Sequence, residues 1–342
     1  MEQRTAVLVG AGSIGITHFK HLLKRFDRII VIDPKIDSIK KELENHTEVE
    51  IDYKKSIYEI SSGKSISLVV IANWGPDHFS VLKHFAIIGS LNFLIEKPLA
   101  DSLKEIRLIQ KYQNKYNLKI YTHLPMLYAK FTQHLLDNSK ILGEPLAINV
   151  FGGAKCVATN GIHYIALANK LFKNKPEKVM AHLNSDPINP RNSKFKFYEG
   201  SASWFYPGKK QLTVNFSNNS QVSLNVEILF KFSKATVHDN SFVLTKINDS
   251  IRESILKPTS TKFPSDVLAQ TSAYESEIDL NETSKVYDLF NINYLLEESE
   301  YGFSATEDLI TALISSKERK LLKLPMKKFL KLKYYSKKWG IS

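Results

Sequence analysis

Val7-Leu8-Val9-Gly10-Ala11-Gly12-Ser13-Ile14-Gly15 is the stretch that decides the fold. β-forming residues run into three glycines, and an apolar pattern at helical spacing follows (Ile14, Phe19, Leu22, Leu23, Phe26). Gly10 permits a tight turn, Gly12 lets backbone approach a pyrophosphate, and Gly15 lets the helix pack closely on the strand. Ser13 and Ile14 open a helix whose free N–H groups and positive dipole end suit phosphates. Asp33 closes the next strand, Arg28 to Ile32, about 20 residues on. A carboxylate there accepts from an adenosine ribose 2′-OH and repels a 2′-phosphate. The pattern predicts NAD as cofactor, with NADP disfavoured.

Outward from this turn, β-rich runs alternate with amphipathic ones. Thr5 to Val9, Arg28 to Ile32, Ser67 to Ala72, Asn92 to Ile95 and Lys119 to Thr122 read as strands. Phe79 to Ile88 and Leu103 to Tyr116 read as helices. The alternation predicts an α/β domain over residues 1–122: a doubly wound parallel sheet with helices on both faces. After residue 123 the rhythm changes. Helices are expected at 131–138 and 162–172, and strands at 146–151, 178–183, 201–205, 212–216, 222–230 and 242–246. That order predicts an α+β domain over 123–325 with a largely antiparallel sheet. Ser217-Asn218-Asn219-Ser220 reads as a hairpin turn. The polar segment 257–282 reads as a loop, and Ser304 to Glu307 has the spacing of a capping box opening a helix to about Leu322.

The chain has 342 residues, 43% of them apolar and 24% charged, a globular composition. Its one cysteine, Cys156, excludes an internal disulfide and reads as a buried small residue. No apolar run approaches the ~20 residues of a membrane helix. The N-terminus is a poor signal peptide, so a cytoplasmic location is expected. The net charge is +12, but ten bases and one acid fall between Lys317 and Lys338. The body is therefore nearly neutral, which argues against a nucleic-acid binder. Residues 326–342 read as a basic, solvated tail whose removal should leave cofactor affinity intact.

Glu96-Lys97-Pro98-Leu99-Ala100 follows the strand that ends at Ile95. The carboxyl edge of a doubly wound sheet is where ligands sit, and a lysine there can orient a hydroxyl or relay its proton. Gly10-x-Gly12-x-x-Gly15-x-x-His18, then Ile71-Ala72 and His78, then Glu96-Lys97-Pro98-Leu99-Ala100, resemble the glucose–fructose oxidoreductase / inositol dehydrogenase (Gfo/Idh/MocA) family. The resemblance covers residues 1–172 well and continues faintly to about 325. It implies a Rossmann domain for NAD(P) and an open-faced sheet domain that contacts substrate and forms a homo-oligomer. It also implies hydride transfer between nicotinamide and a sugar, sugar-nucleotide or cyclitol carbinol. Ala72, Trp74, His78 and Glu96 then join the cofactor site, with Trp74 as one wall of the nicotinamide pocket.

Asn160-Gly161-Ile162-His163 matches the family's histidine segment at a helix start. Lys97 and His163 become the candidate catalytic pair, with Thr159 and Asn160 beside the substrate. Two acids of the pattern are missing, replaced by Thr159 and Ala166, and no arginine follows Thr122 in His123-Leu124-Pro125-Met126. A catalytically impaired regulatory or scaffold protein on the same fold is therefore the competing expectation. The segment around His163 suggests a branch handling surface-polysaccharide sugars. His18 and His21 share a helix face, but no carboxylate or cysteine joins them at ligand spacing, so no metal is expected.

Overall fold

The computed structural model describes residues 3–43, 49–189, 193, 195–238, 241–247, 271–277, 286–287, 296–324 and 334–341. In chain order the first region runs β1 (Thr5–Val9), α1 (Ser13–Leu22), β2 (Arg28–Ile32), α2 (Ile36–Leu43), β3 (Glu50–Lys54), β4 (Ile66–Ile71), α3 (His78–Ile87), β5 (Asn92–Ile95), α4 (Leu103–Tyr116) and β6 (Lys119–Thr122). The six strands form one parallel sheet in the order β3-β2-β1-β4-β5-β6. Sequence order reverses between β1 and β4, so a crevice opens beyond their carboxyl ends. The strands β1, β4 and β5 are buried on both faces, which is why they read as continuous apolar runs. α2 and β3 were not foreseen. β3 is the polar run Glu-Ile-Asp-Tyr-Lys at the sheet edge, where pairing on one side needs little apolar patterning.

The second region adds α5 (Lys130–Asp137), α6 (Ser139–Leu142), β7 (Pro145–Gly153), α7 (Ile162–Phe172), β8 (Lys178–Leu183), β9 (Gly200–Phe205), β10 (Gln211–Ser217), β11 (Asn225–Phe230), β12 (Ser233–His238), β13 (Ser241–Ile247), β14 (Thr271–Glu277), α8 (Leu296–Glu318) and β15 (Leu322–Lys323). Its nine strands lie in the order β14-β13-β12-β11-β7-β10-β9-β8-β15, antiparallel except for β7 with β10. In β7, β8, β10 and β11 buried residues alternate with outward ones, so one face meets α7 and α8 and the other is uncovered by any helix among the described residues.

Four expectations are corrected. The turn at Ser217 to Ser220 does not close a hairpin, because β7 lies between β10 and β11. Gly153 admits this crossing: a Cβ there would sit 2.0 Å from the Ser220 carbonyl oxygen. Within the expected loop 257–282, Thr271–Glu277 is strand β14, paired to β13, and the rest of that span lies outside the described residues. Ser304 opens no helix, since α8 begins at Leu296 and Ser304 bonds back to the Tyr301 carbonyl inside it. Nor is the C-terminus a free extension at residues 334–341. Trp339 and Ile341 are fully buried, and Asp101 accepts from the Gly340 and Ile341 N–H groups at 3.1 Å each. Apolar side chains among the lysines account for the docking. Residues 325–333 of the basic run lie outside the described residues.

α8 joins the two regions beneath the crevice. It packs on α7, β8 and β6, and a Cβ at Gly302 would meet Thr122 Oγ1 at 2.0 Å. From the same helix Thr306 Oγ1 accepts the Leu99 N–H at 3.2 Å, steadying the segment after Lys97.

Candidate active site

The site is assembled from residues that immediately follow parallel strands. Gly10 follows β1, Asp33 β2, Ala72 β4, Glu96 β5 and His123 β6. Each N–H still bonds a carbonyl of the neighbouring strand, at 2.7–3.1 Å, so all five stand in one row on the carboxyl edge. A cleft of about 1270 Å³ runs along that row. Its walls include Gly10, Gly12, Ser13, Ile14, Asp33, Ala72, Trp74, Glu96, Lys97, His123 and His163.

The glycine turn fits a dinucleotide. A Cβ on Gly12 would meet nothing within 4 Å, so the turn is open to a ligand, whereas one on Gly15 would collide with the Gly10 carbonyl at 2.1 Å. Gly15 thus lets helix and strand approach and does not line the cleft. Asp33 Oδ2 accepts the Ala11 N–H at 2.9 Å and Oδ1 the Lys35 N–H at 2.8 Å. Both oxygens retain lone pairs for a diol.

His78 also stands behind the cleft. Its Nδ1 lies 3.0 Å from the Pro98 carbonyl and its Nε2 3.1 Å from that of Asn73. A neutral ring donates to only one of these, and burial lowers its pKa. Its role is to hold two loops together. Trp74, 39% exposed, meets Phe195 edge-to-face at 6.2 Å, and both line the cleft. Thr159 and Asn160 are not part of the lining: Thr159 Oγ1 donates to Asn160 Oδ1 at 3.2 Å, and the same oxygen takes the Cys156 N–H. Cys156 is buried, as expected.

At the other end Lys97 carries an ammonium that no carboxylate among the described residues pairs. Burial, then the Lys97 charge, pulls the His163 ring down to a pKa of about 3. His163 is therefore neutral at ordinary pH and a weak proton acceptor.

The expectation that no carboxylate joins His18 is overturned. Glu96 Oε1 accepts from His18 Nε2 at 2.9 Å and from His123 Nδ1 at 2.6 Å, and all three residues are buried. Burial alone would raise the Glu96 carboxyl, but the two imidazoles outweigh it and hold it well below the usual carboxylate range. His18 Nδ1 meets the Tyr287 hydroxyl at 2.5 Å. His123 Nε2 has no partner among the described residues, and leaving a buried polar atom unpaired costs on the order of 1–3 kcal/mol. Sequence reasoning missed His123, Tyr287 and Phe195. Only His123 had a signal, its place directly after a carboxyl-edge strand.

Residues 4–123 match the sequence model of an oxidoreductase family with an NAD-binding Rossmann fold, GFO_IDH_MocA. The N-terminal domain is thus similar to the Gfo/Idh/MocA family. No protein of curated function matches the chain in sequence. Solved structures share the fold across nearly the whole chain. An oxidoreductase from Agrobacterium radiobacter, in complex with NAD+, L-tartaric acid and magnesium, superposes with a TM-score of 0.71 at 11% identity, covering 94% of this chain and 98% of its own. UDP-N-acetylglucosamine 3-dehydrogenase GnnA from Acidithiobacillus ferrooxidans gives 0.68 at 13%, covering 93% and 99%. A super-repressor mutant of Gal80p from Saccharomyces cerevisiae gives 0.68 at 14%, covering 94% and 97%. The Gfo/Idh/MocA assignment agrees with the turn at Gly10 to Gly15 and with NAD as the cofactor. No helix among the described residues is long and apolar enough to cross a membrane.

Proposed function

We propose that this chain is an NAD-dependent oxidoreductase acting on a carbinol of a sugar, sugar nucleotide or cyclitol. NAD would lie with its ribose at Asp33, its pyrophosphate at Gly10 to Ser13, and its nicotinamide toward Trp74 and Lys97. Bound there, it supplies the hydride acceptor. The observation that carries the reading is the Lys97 ammonium, unpaired by any carboxylate among the described residues, at the far end of the same cleft as Asp33. An unneutralised cation there favours a hydroxyl that develops negative charge as its proton leaves. Trp74 and Phe195 offer the apolar faces on which a sugar ring stacks. That a structural neighbour is a sugar-nucleotide dehydrogenase supports this substrate class, and a role in surface-polysaccharide sugar biosynthesis belongs to the same proposal.

The test is NADH fluorescence titration followed by a screen of sugars, sugar nucleotides and cyclitols for NAD(H) turnover. Turnover on a carbinol substrate is expected. Ligands that raise the melting temperature without turnover would instead favour a regulatory protein on this fold. Thr159 and Ala166, where the family has acids, speak for that second reading.

We further propose that the open face of the nine-stranded sheet pairs with a second copy of the chain. Phe151, Met180 and Leu229 stand 42–48% exposed on it. Light scattering that reports a monomer would refute the pairing.

A further inference from the structure

We infer that His123, fixed by Glu96, is the group that exchanges a proton with the ligand's hydroxyl in this cleft. The inference rests on the carbinol-oxidoreductase reading above.

A carboxylate can only accept, so the protons shared with Glu96 sit on His18 Nε2 and His123 Nδ1. A neutral imidazole has one N–H. In His18 the other nitrogen, Nδ1, accepts the Tyr287 hydroxyl proton, which closes that arm of the network. In His123 the other nitrogen is Nε2, which is buried and meets no donor among the described residues. His123 is nevertheless among the residues that line the cleft, together with Lys97 and His163. A carboxylate behind the ring, a fixed tautomer and a free second nitrogen are the parts of a general base.

The groups facing His123 make it better suited than His163. Glu96 Oε1 stands 2.6 Å from His123 Nδ1 and fixes the ring. His18 and Tyr287 complete the same network, with His21 one turn further along α1 and Lys97 and His163 on the cleft side. Among the described residues His163 has no hydrogen bond to a carboxylate, and at the positions where one is expected stand Thr159, turned toward Asn160, and Ala166, which is buried. Lys97 opposes its protonation directly.

In the oxidative direction the substrate O–H bond breaks and its proton goes to His123 Nε2. NAD+ held at Asp33 and the Gly10 to Ser13 turn would supply the acceptor for the C–H electron pair, released as hydride as the carbon–oxygen double bond forms. Lys97 holds the oxygen throughout, and the imidazolium remains paired with Glu96. Reduction returns the same proton.

The test begins without substrate. Nitrogen-15 NMR of histidine-labelled full-length protein, with and without NAD+, should show His123 protonated on Nδ1 and bare on Nε2. Glu96→Gln should release that tautomer while unfolding stays cooperative. An Nε2-protonated His123 would overturn the inference. So would one tightly held divalent ion per chain in metal analysis, since Nδ1 would then bind the ion. On a substrate found by the screen, His123→Asn is the informative variant, because its amide can still donate to Glu96 but has no basic nitrogen. It should lower kcat by about 10²–10⁴-fold, with NADH affinity and KM nearly unchanged, and His163→Asn should cost far less. The reverse order would defeat the relay. If no carbinol turns over, the functional reading and the relay fall together, whereas turnover that survives His123→Asn removes the relay alone.

Discussion

The Ala11 N–H donates to Asp33 Oδ2 at 2.9 Å, so the acid is tied to the glycine turn before any ligand arrives. Its position is therefore set by backbone, as is that of the turn it serves. Asp33→Ser removes both the charge and this anchor. NADH should bind more weakly by roughly tenfold, about 1.4 kcal/mol, while NADPH should bind better than it does to the parent. Paired fluorescence titrations decide it, and a parent protein that already prefers NADPH would refute the assignment of Asp33.

Lys97→Met keeps the unbranched stem of the side chain and removes the ammonium. On the proposed reading the phosphates lie at the turn from Gly10 to Ser13, away from Lys97, so NADH affinity should hardly change. Turnover should fall by about 10²–10⁴-fold, the range for losing a group positioned for proton transfer. His163 should simultaneously become easier to protonate, because the Lys97 charge is, after burial, one of the causes depressing it. Parent-like turnover in the variant would exclude Lys97 from the chemistry.

How much of this was legible depends on the range of the signal. The strands Thr5–Val9, Arg28–Ile32, Asn92–Ile95 and Lys119–Thr122 carry their pattern within themselves, and the structure reproduces them. The polar edge strands β3 and β14 gain their place from a neighbour's backbone and show little pattern of their own. The order β11-β7-β10 depends on β7 entering between two sequence neighbours, which no local turn records. The site divides the same way. Gly10 to Gly15, Asp33 and Lys97 sit in short motifs, but the network at Glu96 draws on His18, His123 and Tyr287, up to 269 residues apart. Burial decides the rest: His163 looks like a neutral-range base in sequence, and its surroundings make it a weak one.

Trp339 should prove a structural anchor. It is fully buried, its carbonyl accepts the Tyr198 hydroxyl at 3.1 Å, and the next two N–H groups bind Asp101. Lys338 Nζ meanwhile donates to the Pro76 carbonyl at 2.8 Å, beside Trp74 in the cleft wall. Trp339→Ala should cost about 3–5 kcal/mol, read as a shift in the urea midpoint. Truncation before residue 334 should cost at least as much and weaken NADH binding through the loosened Pro76 turn. A truncated chain with parent stability would show that the docked segment contributes nothing.

Asp308 should give the protein a stability that falls as pH rises. It lies on α8, 6% exposed, and no cation among the described residues forms an ion pair with it. Asn169 Nδ2 donates to its Oδ2 at 3.1 Å, and Asn169 Oδ1 in turn accepts the Tyr206 hydroxyl at 2.7 Å. Burial outweighs that single hydrogen bond and raises the carboxyl from 3.8 to about 8. Near neutrality the folded chain therefore keeps a proton on Asp308 that the unfolded chain has released. Where the native state binds more protons, stability declines with rising pH. The contribution is complete below the unfolded value of 3.8 and is lost as pH climbs through about 8. Other buried groups act in the opposite sense: His18 and His163, both lowered, favour the fold at higher pH. Asp308→Asn isolates the carboxyl, because the amide keeps an acceptor for Asn169 and cannot ionise. Urea unfolding of parent and variant from about pH 5 to about pH 9 should show the variant gaining on the parent steadily across the range. Curves that run parallel would mean that Asp308 is already ionised in the fold, and that the Asn169 amide suffices to hold its charge.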